Sequence, residues 1–226
     1  MAEAREIPDA TVSRLPVYRR SLIQIIASGN ATISSADLAD LAGVNAAKVR
    51  KDLSYLGTYG VRGVGYEAEL LLGQIDNALG LEVEAPVVIV GMGNLGNALA
   101  HYAGFQSKGF PIVALVDSSV EKVGQVIDGI TVSDLDDLAE TVKENSIAVG
   151  IIATPAEAAQ AVSDALVEAG VGAILTFAPT VLTVPEHVPV RKVDLATELQ
   201  ILGYYQHREL NDDDDPSEPA TREAAR

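Results

Sequence analysis

The chain has 226 residues, no cysteine, three scattered histidines and a formal net charge of −16 at pH 7. The lack of cysteine excludes disulfides, thiolate catalysis and cysteine-ligated zinc, and the histidine spacing predicts no metal site. Hydrophobic content of 48% is enough for a core, but no run approaches the ~18 apolar residues of a membrane span and no signal peptide is evident, so a cytoplasmic protein is expected.

The acidic charge is unevenly distributed along the chain. Residues 1–80 hold eight Lys/Arg and nine Asp/Glu, whereas the remaining residues hold 8 basic and 23 acidic side chains. The N-terminal part is therefore nearly neutral, and its basic residues are clustered. Clustered positive charge keeps nucleic acid among the possible partners of this part of the chain.

The N-terminal part reads as a series of short helices. Residues 1–12 are polar and expected to be mobile, and a helix is predicted over 14–28. Ser34 opens a capping-box pattern before a short second helix, and Asn45 can cap a third helix over 46–55. Two short helices joined through a glycine turn indicate a helix-turn-helix.

The third helix carries a basic outer face and is followed by a glycine-rich segment. Residues 57–66 alternate aromatic and β-branched residues with glycines, which predicts a β-hairpin wing with an arginine at its tip. Helix-turn-helix and wing together predict a winged-helix DNA-binding domain over 1–80. The alternative is an ordinary solvated helix face. The candidate DNA-binding residues are Lys48, Arg50, Lys51, Ser54, Tyr55, Arg62 and Gly63.

A strand of four β-branched residues, 87–90, runs into a Gly-x-Gly-x-x-Gly motif, with a helix-prone segment at 97–105. Gly91 allows a tight turn, Gly93 lets a pyrophosphate approach the backbone, and Gly96 lets the helix pack on the strand. This pattern predicts a dinucleotide site. The alternative is a structural glycine turn in another α/β protein.

An acidic residue follows at the expected distance. Asp117 ends the apolar run 112–116 and lies 21 residues beyond Gly96. A carboxylate there accepts both ribose hydroxyls of an adenosine and repels a 2′-phosphate, which favours NAD(H) over NADP(H).

Strand and helix signals alternate between residues 86 and 193, after a helix over 67–79 and a linker over 80–86. This alternation predicts an α/β fold, with a doubly wound parallel sheet in a Rossmann-type domain over 86–194. The later elements are a helical piece at 121–125, a strand at 131–132, a helix at 134–145 capped by Ser133, a strand at 147–153, a helix to 169 opened by a capping box at Thr154, a strand at 173–175 and a strand at 190–193.

The chain ends in one more helix, predicted over 195–208, and an acidic tail. The helix is apolar on one face and either packs on its own domain or is buried against another subunit, which would make 195–210 a dimerisation element. Residues 211–226 contain four consecutive aspartates within 212–215 and are expected to be disordered.

No catalytic residue is predicted. The strand ends and loops near the expected nicotinamide position offer Thr154, Pro155, Phe177, Ala178, Pro179 and Asp194, none of which is a convincing acid or base for hydride chemistry. A cofactor site joined to a DNA-binding domain describes a sensor. The alternatives are a small NAD-dependent oxidoreductase with an N-terminal oligomerisation module, or a CoA- or nucleotide-binding subunit of a larger enzyme, although Asp117 argues against the 3′-phosphate of CoA.

Four segments, 49–57, 62–66, 91–96 and 177–179, closely resemble the redox-sensing transcriptional repressor family Rex. The resemblance covers roughly residues 12–208. It implies a homodimer that binds a palindromic operator of respiratory and fermentative genes and leaves it when NADH binds.

The resemblance also implies roles for individual residues. Arg50, Lys51, Arg62 and Gly63 match DNA-contacting positions, and the last helix matches a domain-swapped helix. Tyr102 matches a tyrosine that responds to the nicotinamide, and Arg20 and Asp194 match an ion pair between subunits; on the residues alone, they are a helix tyrosine and two unrelated surface charges. The predicted cofactor-binding residues are Gly91, Met92, Gly93, Asn94, Leu95, Gly96, Asp117, Thr154, Phe177, Ala178, Pro179 and Tyr102.

Overall fold

A computed structural model describes residues 7–58 and 60–213 of the chain. Contacts divide the chain into two compact units, Met1–Glu84 and Ala85–Arg226. None of the helices described is long and apolar enough to span a lipid bilayer. The acidic residues 214–226, predicted to be disordered, lie outside the described residues.

The first unit is a helical domain with one small antiparallel sheet. Four of its helices and the sheet enclose an apolar core that includes Leu22, Val49 and Leu53. Its elements in chain order are α1 (Asp9–Val12), α2 (Leu15–Ala27), β1 (Thr32–Ile33), α3 (Ser35–Ala42), α4 (Ala46–Tyr55), β2 (Tyr66–Glu67) and α5 (Ala68–Ala78).

Both helices of the predicted helix-turn-helix begin at the caps read from the sequence. The Ser34 side chain accepts a hydrogen bond from the Asp37 N–H, at 3.1 Å. The Asn45 side chain accepts one from the Lys48 N–H, at 2.8 Å. Each cap satisfies an N–H that the first helical turn leaves unpaired, which fixes where α3 and α4 begin.

The segment before α2 is more ordered than expected. The prediction that residues 1–12 are mobile is wrong for its last four, because Asp9–Val12 form α1 and Thr11 is buried. The Thr11 hydroxyl donates to Asp52 of α4 at 2.9 Å, a contact made with a residue 41 positions away. No local pattern in the sequence predicts a contact between residues so far apart in the chain.

The predicted wing is a tight loop closed by one bridge, not a regular two-stranded hairpin. Val61 and Gly65 pair across it, and Arg62 and Gly63 lie exposed at its tip. The strand that follows, β2, pairs instead with β1, Ile33 opposite Tyr66. The wing is thereby anchored to the strand that precedes the helix-turn-helix.

The second unit is a seven-stranded sheet with helices on both faces. The spatial order β5-β6-β4-β3-β7-β8-β9 is the order of a dinucleotide-binding fold, with β5 added antiparallel at one edge. The elements are β3 (Val87–Val90), α6 (Asn94–Ala100), β4 (Ile112–Asp117), β5 (Val126–Ile127), β6 (Ile130–Asp134), α7 (Leu138–Glu144), β7 (Val149–Ile152), α8 (Ala156–Glu168), β8 (Ala173–Thr176), β9 (Val190–Lys192) and α9 (Leu195–Asp213).

The central strand β3 explains the double winding. Its side chains alternate, so that Val88 and Val90 pack with α7 and α8 on one face of the sheet. Val87 and Ile89 pack with Ala100 of α6 on the other face. All four are buried because a parallel strand with helices on both faces has no solvent side.

Three local predictions between β3 and α7 are wrong. The helix after the glycine motif begins at Asn94 and ends at Ala100, because the chain enters it directly from Gly93. Residues 120–124 form a turn and not a helical piece. Asp134, and not Ser133, caps the segment before α7 by accepting from the Asp136 N–H, because the helical turn begins directly after Asp134, the last residue of β6.

The predicted capping box at Thr154 does not form either. Pro155 is the N-cap residue of α8 and no side chain caps this helix. The last helix, α9, extends five residues beyond its predicted end, so residues 211–213 are helical and not part of a disordered tail.

Candidate dinucleotide and nucleic-acid sites

The glycine motif forms a tight connection between β3 and α6. Gly91 has a φ of 99°, and a Cβ there would lie 2.9 Å from the carbonyl carbon and oxygen of Ala153. A Cβ on Gly96 would lie 1.9 Å from the Gly91 carbonyl oxygen, whereas one on Gly93 would meet nothing within 4 Å. Two glycines are therefore required by the protein, and the third leaves open space beside the backbone.

Parallel pairing brings the other predicted residues to the same edge. The Gly91 N–H donates to the Val116 carbonyl and the Ala153 N–H to the Val90 carbonyl, both at 2.9 Å. The Phe177 N–H donates to the Ile152 carbonyl at 3.0 Å. The residues after β3, β4, β7 and β8 therefore converge at the carboxyl ends of the strands, on both sides of the point where the strand order reverses.

The Asp117 carboxylate is buried at this edge and is already hydrogen-bonded. Its oxygens accept from the Met92 N–H at 2.6 Å, the Ser119 N–H at 2.8 Å and the Lys122 ammonium at 3.0 Å. Burial alone would raise the pKa of Asp117, but these donors outweigh it and lower the pKa. The group is a fixed carboxylate tied to the glycine loop, as a ribose acceptor must be.

One polar atom at this edge has no hydrogen-bond partner among the described residues. Thr154 Oγ1 is buried and makes no hydrogen bond, although its Cγ2 lies against Gly91. A buried hydroxyl without a partner is costly in a folded protein. A polar ligand bound between the glycine loop and Thr154 would remove that cost, so this observation is consistent with a nucleotide.

The loop after β8 is shaped by its own backbone. The Ala178 N–H donates to Thr176 Oγ1 at 3.1 Å, which turns the chain at Phe177. Phe177 packs against the core beside the glycine loop, Ala178 is buried, and Pro179 is exposed. Thr176 supports a loop that the sequence singled out only for the three residues that follow it.

The candidate DNA-binding residues are divided between two surfaces of the first unit. Arg50, Ser54, Arg62 and Gly63 line a cavity of about 560 Å³ between α3, α4 and the wing. The Arg50 guanidinium donates to Ser35 Oγ at 3.0 Å at the start of α3. We call α4, the second helix of the helix-turn-helix, the recognition helix. The recognition helix and the wing thus present their polar groups to one concave surface.

The remaining candidates lie elsewhere on α4. Lys48 and Lys51 are exposed, and Ser54 Oγ donates to the Lys51 carbonyl at 2.7 Å. Tyr55 is half-buried and lines a different cavity, of about 600 Å³, beside α5. The structure therefore leaves the two lysines available to a ligand and places Tyr55 towards the protein.

The recognition helix also carries a buried acid that the sequence reading missed. Asp52 is 1% exposed and faces the N-terminal helices. It accepts two hydrogen bonds from the Arg14 guanidinium, at 2.6 and 2.7 Å, one from the Tyr18 hydroxyl at 2.7 Å and one from Thr11. The only signal in the sequence was an acid on the apolar side of an amphipathic helix. We call these four residues the Asp52 cluster.

Hydrogen bonding and burial shift the pKa values of Asp52 and Tyr18 in opposite directions. Burial alone would raise the pKa of Asp52, but hydrogen bonds from Arg14, Tyr18 and Thr11 lower it. Burial, with the hydrogen bond to Asp52, raises the pKa of Tyr18 to about 12. The cluster is therefore an ion pair at neutral pH, and it ties α1 and α2 to the recognition helix.

Comparison with known proteins finds a match for each of the two units. A family described as "Putative DNA-binding protein N-terminus" matches residues 6–54, and one described as "CoA binding domain" matches residues 83–180. The redox-sensing transcriptional repressor Rex of Streptomyces avermitilis is 54% identical over 210 residues, which are 93% of this chain and 83% of the relative. The chain belongs to the Rex family.

Solved Rex-family structures share the architecture. The repressor RSP, crystallised with β-NAD⁺ and operator DNA, is 34% identical and has a TM-score of 0.85, covering 90% of this chain and 94% of RSP. RSP crystallised with β-NADH is 33% identical, with a TM-score of 0.80 and coverage of 90% and 95%. The winged-helix and Rossmann-type fold predicted from the sequence is confirmed.

Tyr102, whose role came only from the Rex resemblance, lies outside the dinucleotide site described above. Tyr102 follows α6 and is 53% exposed, so the length of a seven-residue helix, about 10 Å, separates it from the glycine loop. Its ring packs edge-on against Phe105, with the centroids 5.0 Å apart. A contact between Tyr102 and a nicotinamide stays a prediction from the Rex family.

Arg20 and Asp194, the two residues that the Rex resemblance pairs between subunits, lie in different units of the chain. Arg20 is exposed on α2 of the first unit. Asp194 caps α9 by accepting from the Thr197 N–H at 3.1 Å, and it pairs with Lys192 at 3.2 Å. These two contacts lower the pKa of Asp194. An ion pair between Arg20 and Asp194 of two Rex subunits stays a prediction.

Proposed function

We propose that this chain is a homodimeric, NADH-responsive repressor that binds palindromic operator DNA through its winged helix and NAD(H) at the glycine motif. The observation that carries the proposal is the fold shared over 90% of the chain with RSP, a Rex-family repressor solved with both β-NAD⁺ and operator DNA. The proposed location is the cytoplasm, where a repressor would meet its operator.

The carboxyl edge of the sheet supports the nucleotide half of the proposal. The open space beside Gly93 leaves room for a pyrophosphate, and Asp117 provides an acceptor for the adenosine ribose. The Thr154 hydroxyl, which has no hydrogen-bond partner among the described residues, could bond to the ligand. NAD(H) would supply the signal through the charge and shape of its nicotinamide. The protein's part is to hold the dinucleotide and exclude water.

The same edge supports a sensor rather than an oxidoreductase. Hydride transfer to a carbonyl requires a proton donor beside the nicotinamide. Most of the residues proposed to lie there carry no ionisable side chain, namely Thr154, Pro155, Phe177, Ala178 and Pro179. The remaining one, Asp194, has a lowered pKa and is therefore no proton donor near neutral pH. Among the described residues, no group of three His, Asp or Glu side chains is arranged to hold a metal ion.

The last helix supports the proposed dimer. Leu195, Leu199 and Leu202 lie on one face of α9, each at least 60% exposed. Tyr204 and Tyr205, beside them, are also more than half exposed. An apolar helix face that finds no cover in its own chain is expected to be buried in another, here a second copy of this chain.

The repressor proposal predicts that NADH lowers operator affinity far more than an equal concentration of NAD⁺ does. A ligand shifts a two-state protein only by its differential affinity for the two states, and typical coupling of ~1–3 kcal/mol gives a ~5–150-fold change. Fluorescence anisotropy of a labelled palindrome, selected by the protein from a random DNA pool, measures the effect. Light scattering of the complex should show two chains on each DNA.

Two outcomes would contradict this proposal. Equal effects of NADH and NAD⁺ would show that the nucleotide is not the signal. Steady-state oxidation of NADH with a small carbonyl substrate would favour the oxidoreductase alternative. A single chain bound to each DNA would contradict the proposed homodimer.

Lys51→Ala is expected to weaken operator binding by about 10-fold while NADH affinity stays unchanged. Lys51 is exposed on the recognition helix, where it can contact a DNA phosphate. Loss of one phosphate contact should also reduce the slope of log affinity against log salt concentration by about 1. Anisotropy at several salt concentrations measures both effects. Lys108→Ala removes a lysine of the second unit that is also exposed and is the matched control. A Lys51 variant that loses NADH binding as well would point to misfolding.

A further inference from the structure

A turn after β4 places a lysine on the acid that is proposed to select the adenosine ribose. The Lys122 ammonium lies 3.0 Å from Asp117 Oδ2. Backbone hydrogen bonds hold the turn, from the Lys122 N–H to the Ser119 carbonyl at 2.9 Å and from the Gly124 N–H to the Val132 carbonyl at 2.9 Å. The position of Lys122 is thus set by the fold and not by the ion pair alone.

The carboxylate has little capacity left for a diol. An ionised carboxylate offers about four acceptor positions. The Met92 N–H, the Ser119 N–H and Lys122 occupy three of them. Two ribose hydroxyls therefore need one more position than is free. Of the three donors, two are backbone groups, so the lysine side chain is the one able to move.

The two partners differ in how freely they reach solvent. The Asp117 side chain is 8% exposed and the Lys122 side chain is 37% exposed. The ammonium carries three donors, of which Asp117 uses one. A lysine displaced from Asp117 therefore stays within reach of the ribose 2′-position, with its charge free.

We propose that Lys122 is a latent anchor for the 2′-phosphate of NADP(H), and that Asp117 masks it. With Asp117 in place, its negative charge repels a 2′-phosphate and its oxygens hold the ammonium. With the acid neutralised, the ammonium is released beside the position that the phosphate would take. The inference rests on the proposed function, because it assumes that a dinucleotide binds at this edge.

The consequence is that selectivity is set by the pair and not by the acid alone. Removing the negative charge should exchange a repulsive group for an attractive one in a single substitution. Removing the lysine as well should leave neither, so that the chain distinguishes the two dinucleotides poorly. Charge-assisted hydrogen bonds of this kind change affinity by about 10-fold or more.

Calorimetric titration of NADH and NADPH against five proteins tests the proposal. They are the natural chain, Asp117→Asn, Lys122→Met, Asp117→Asn with Lys122→Met, and Asp117→Asn with Lys122→Arg. In Asp117→Asn the affinity ratio should move towards NADPH by at least about 10-fold, and Arg at position 122 should keep that gain. The Met double variant should lose most of it. Lys122→Met alone should leave the affinity for NADPH as weak as in the natural chain, because Asp117 masks the ammonium there, and should spare NADH.

The outcomes separate the inference from the function on which it rests. An equal ratio in Asp117→Asn and in its Met double variant would overturn the role of Lys122, even with NADH binding and operator release intact. If Asp117→Asn unfolds, Asp117→Ser is compared with Asp117→Ser carrying Lys122→Met instead, and an equal affinity ratio in these two proteins overturns the role of Lys122. A natural chain that binds neither dinucleotide would overturn both the inference and the proposed function.

Discussion

Gly96→Ala is expected to destabilise the second unit by at least about 3 kcal/mol. The new Cβ would lie 1.9 Å from the Gly91 carbonyl oxygen, far inside contact distance. That oxygen cannot move away cheaply, because Gly91 is held at a φ of 99° and lies against Ala153. Thermal unfolding followed by circular dichroism measures the loss.

Gly93→Ala is the matched control and should behave in the opposite way. Its φ is −72°, which any residue adopts, and a Cβ there meets no protein atom within 4 Å. Stability should change by less than about 0.5 kcal/mol. NADH affinity should nevertheless fall by at least about 10-fold if a pyrophosphate uses that space. Unchanged stability in Gly96→Ala would contradict the packing argument; unchanged NADH affinity in Gly93→Ala would contradict the site.

Asp52→Asn is expected to destabilise the winged helix by about 3 kcal/mol and to abolish operator binding. The substitution keeps the shape but removes the charge that the buried face of Arg14 requires, and an amide cannot accept all four hydrogen bonds. The recognition helix then loses its tie to α1 and α2. Thermal unfolding followed by circular dichroism measures the loss of stability. Fluorescence anisotropy of labelled operator DNA measures the loss of binding.

Two variants separate the Asp52 cluster from a general effect of charge. Tyr18→Phe removes one of the four hydrogen bonds and should cost about 1 kcal/mol. Asp40→Asn removes an exposed acid from α3 and should stay within about 0.5 kcal/mol of the natural chain. Equal stability of the Asp52 and Asp40 variants would show that the ion pair contributes nothing.

The lowered pKa of Asp52 fixes the direction of its pH dependence. Because the folded pKa lies below the unfolded value of about 3.9, the cluster contributes fully above that value and its contribution disappears as pH falls through the folded pKa. The stability difference between the natural chain and Asp52→Asn should therefore be constant near neutral pH and shrink in acid. A difference that grew on acidification would contradict the assignment.

Local signals in the sequence were reliable where a few neighbouring residues decide the structure. The caps at Ser34 and Asn45 placed α3 and α4 correctly, because a cap satisfies an N–H only three residues away. The alternation of strands and helices predicted the parallel core of the sheet for the same reason. Local reading misplaced α6, since Gly93 opens the helix directly, and it missed β5, which is only two residues long.

The sequence alone determined the two-part organisation of this protein, its glycine motif and its recognition helix, because spacing and periodicity act over short stretches of chain. Three features depend on the folded structure: Asp52 pairs with Arg14, 38 residues away, Thr154 Oγ1 is buried with no partner among the described residues, and the turn after β4 places Lys122 on Asp117. The physical reason is the same for all three. Burial and pairing of a polar side chain depend on which distant segments pack around it, and no short-range pattern encodes that choice.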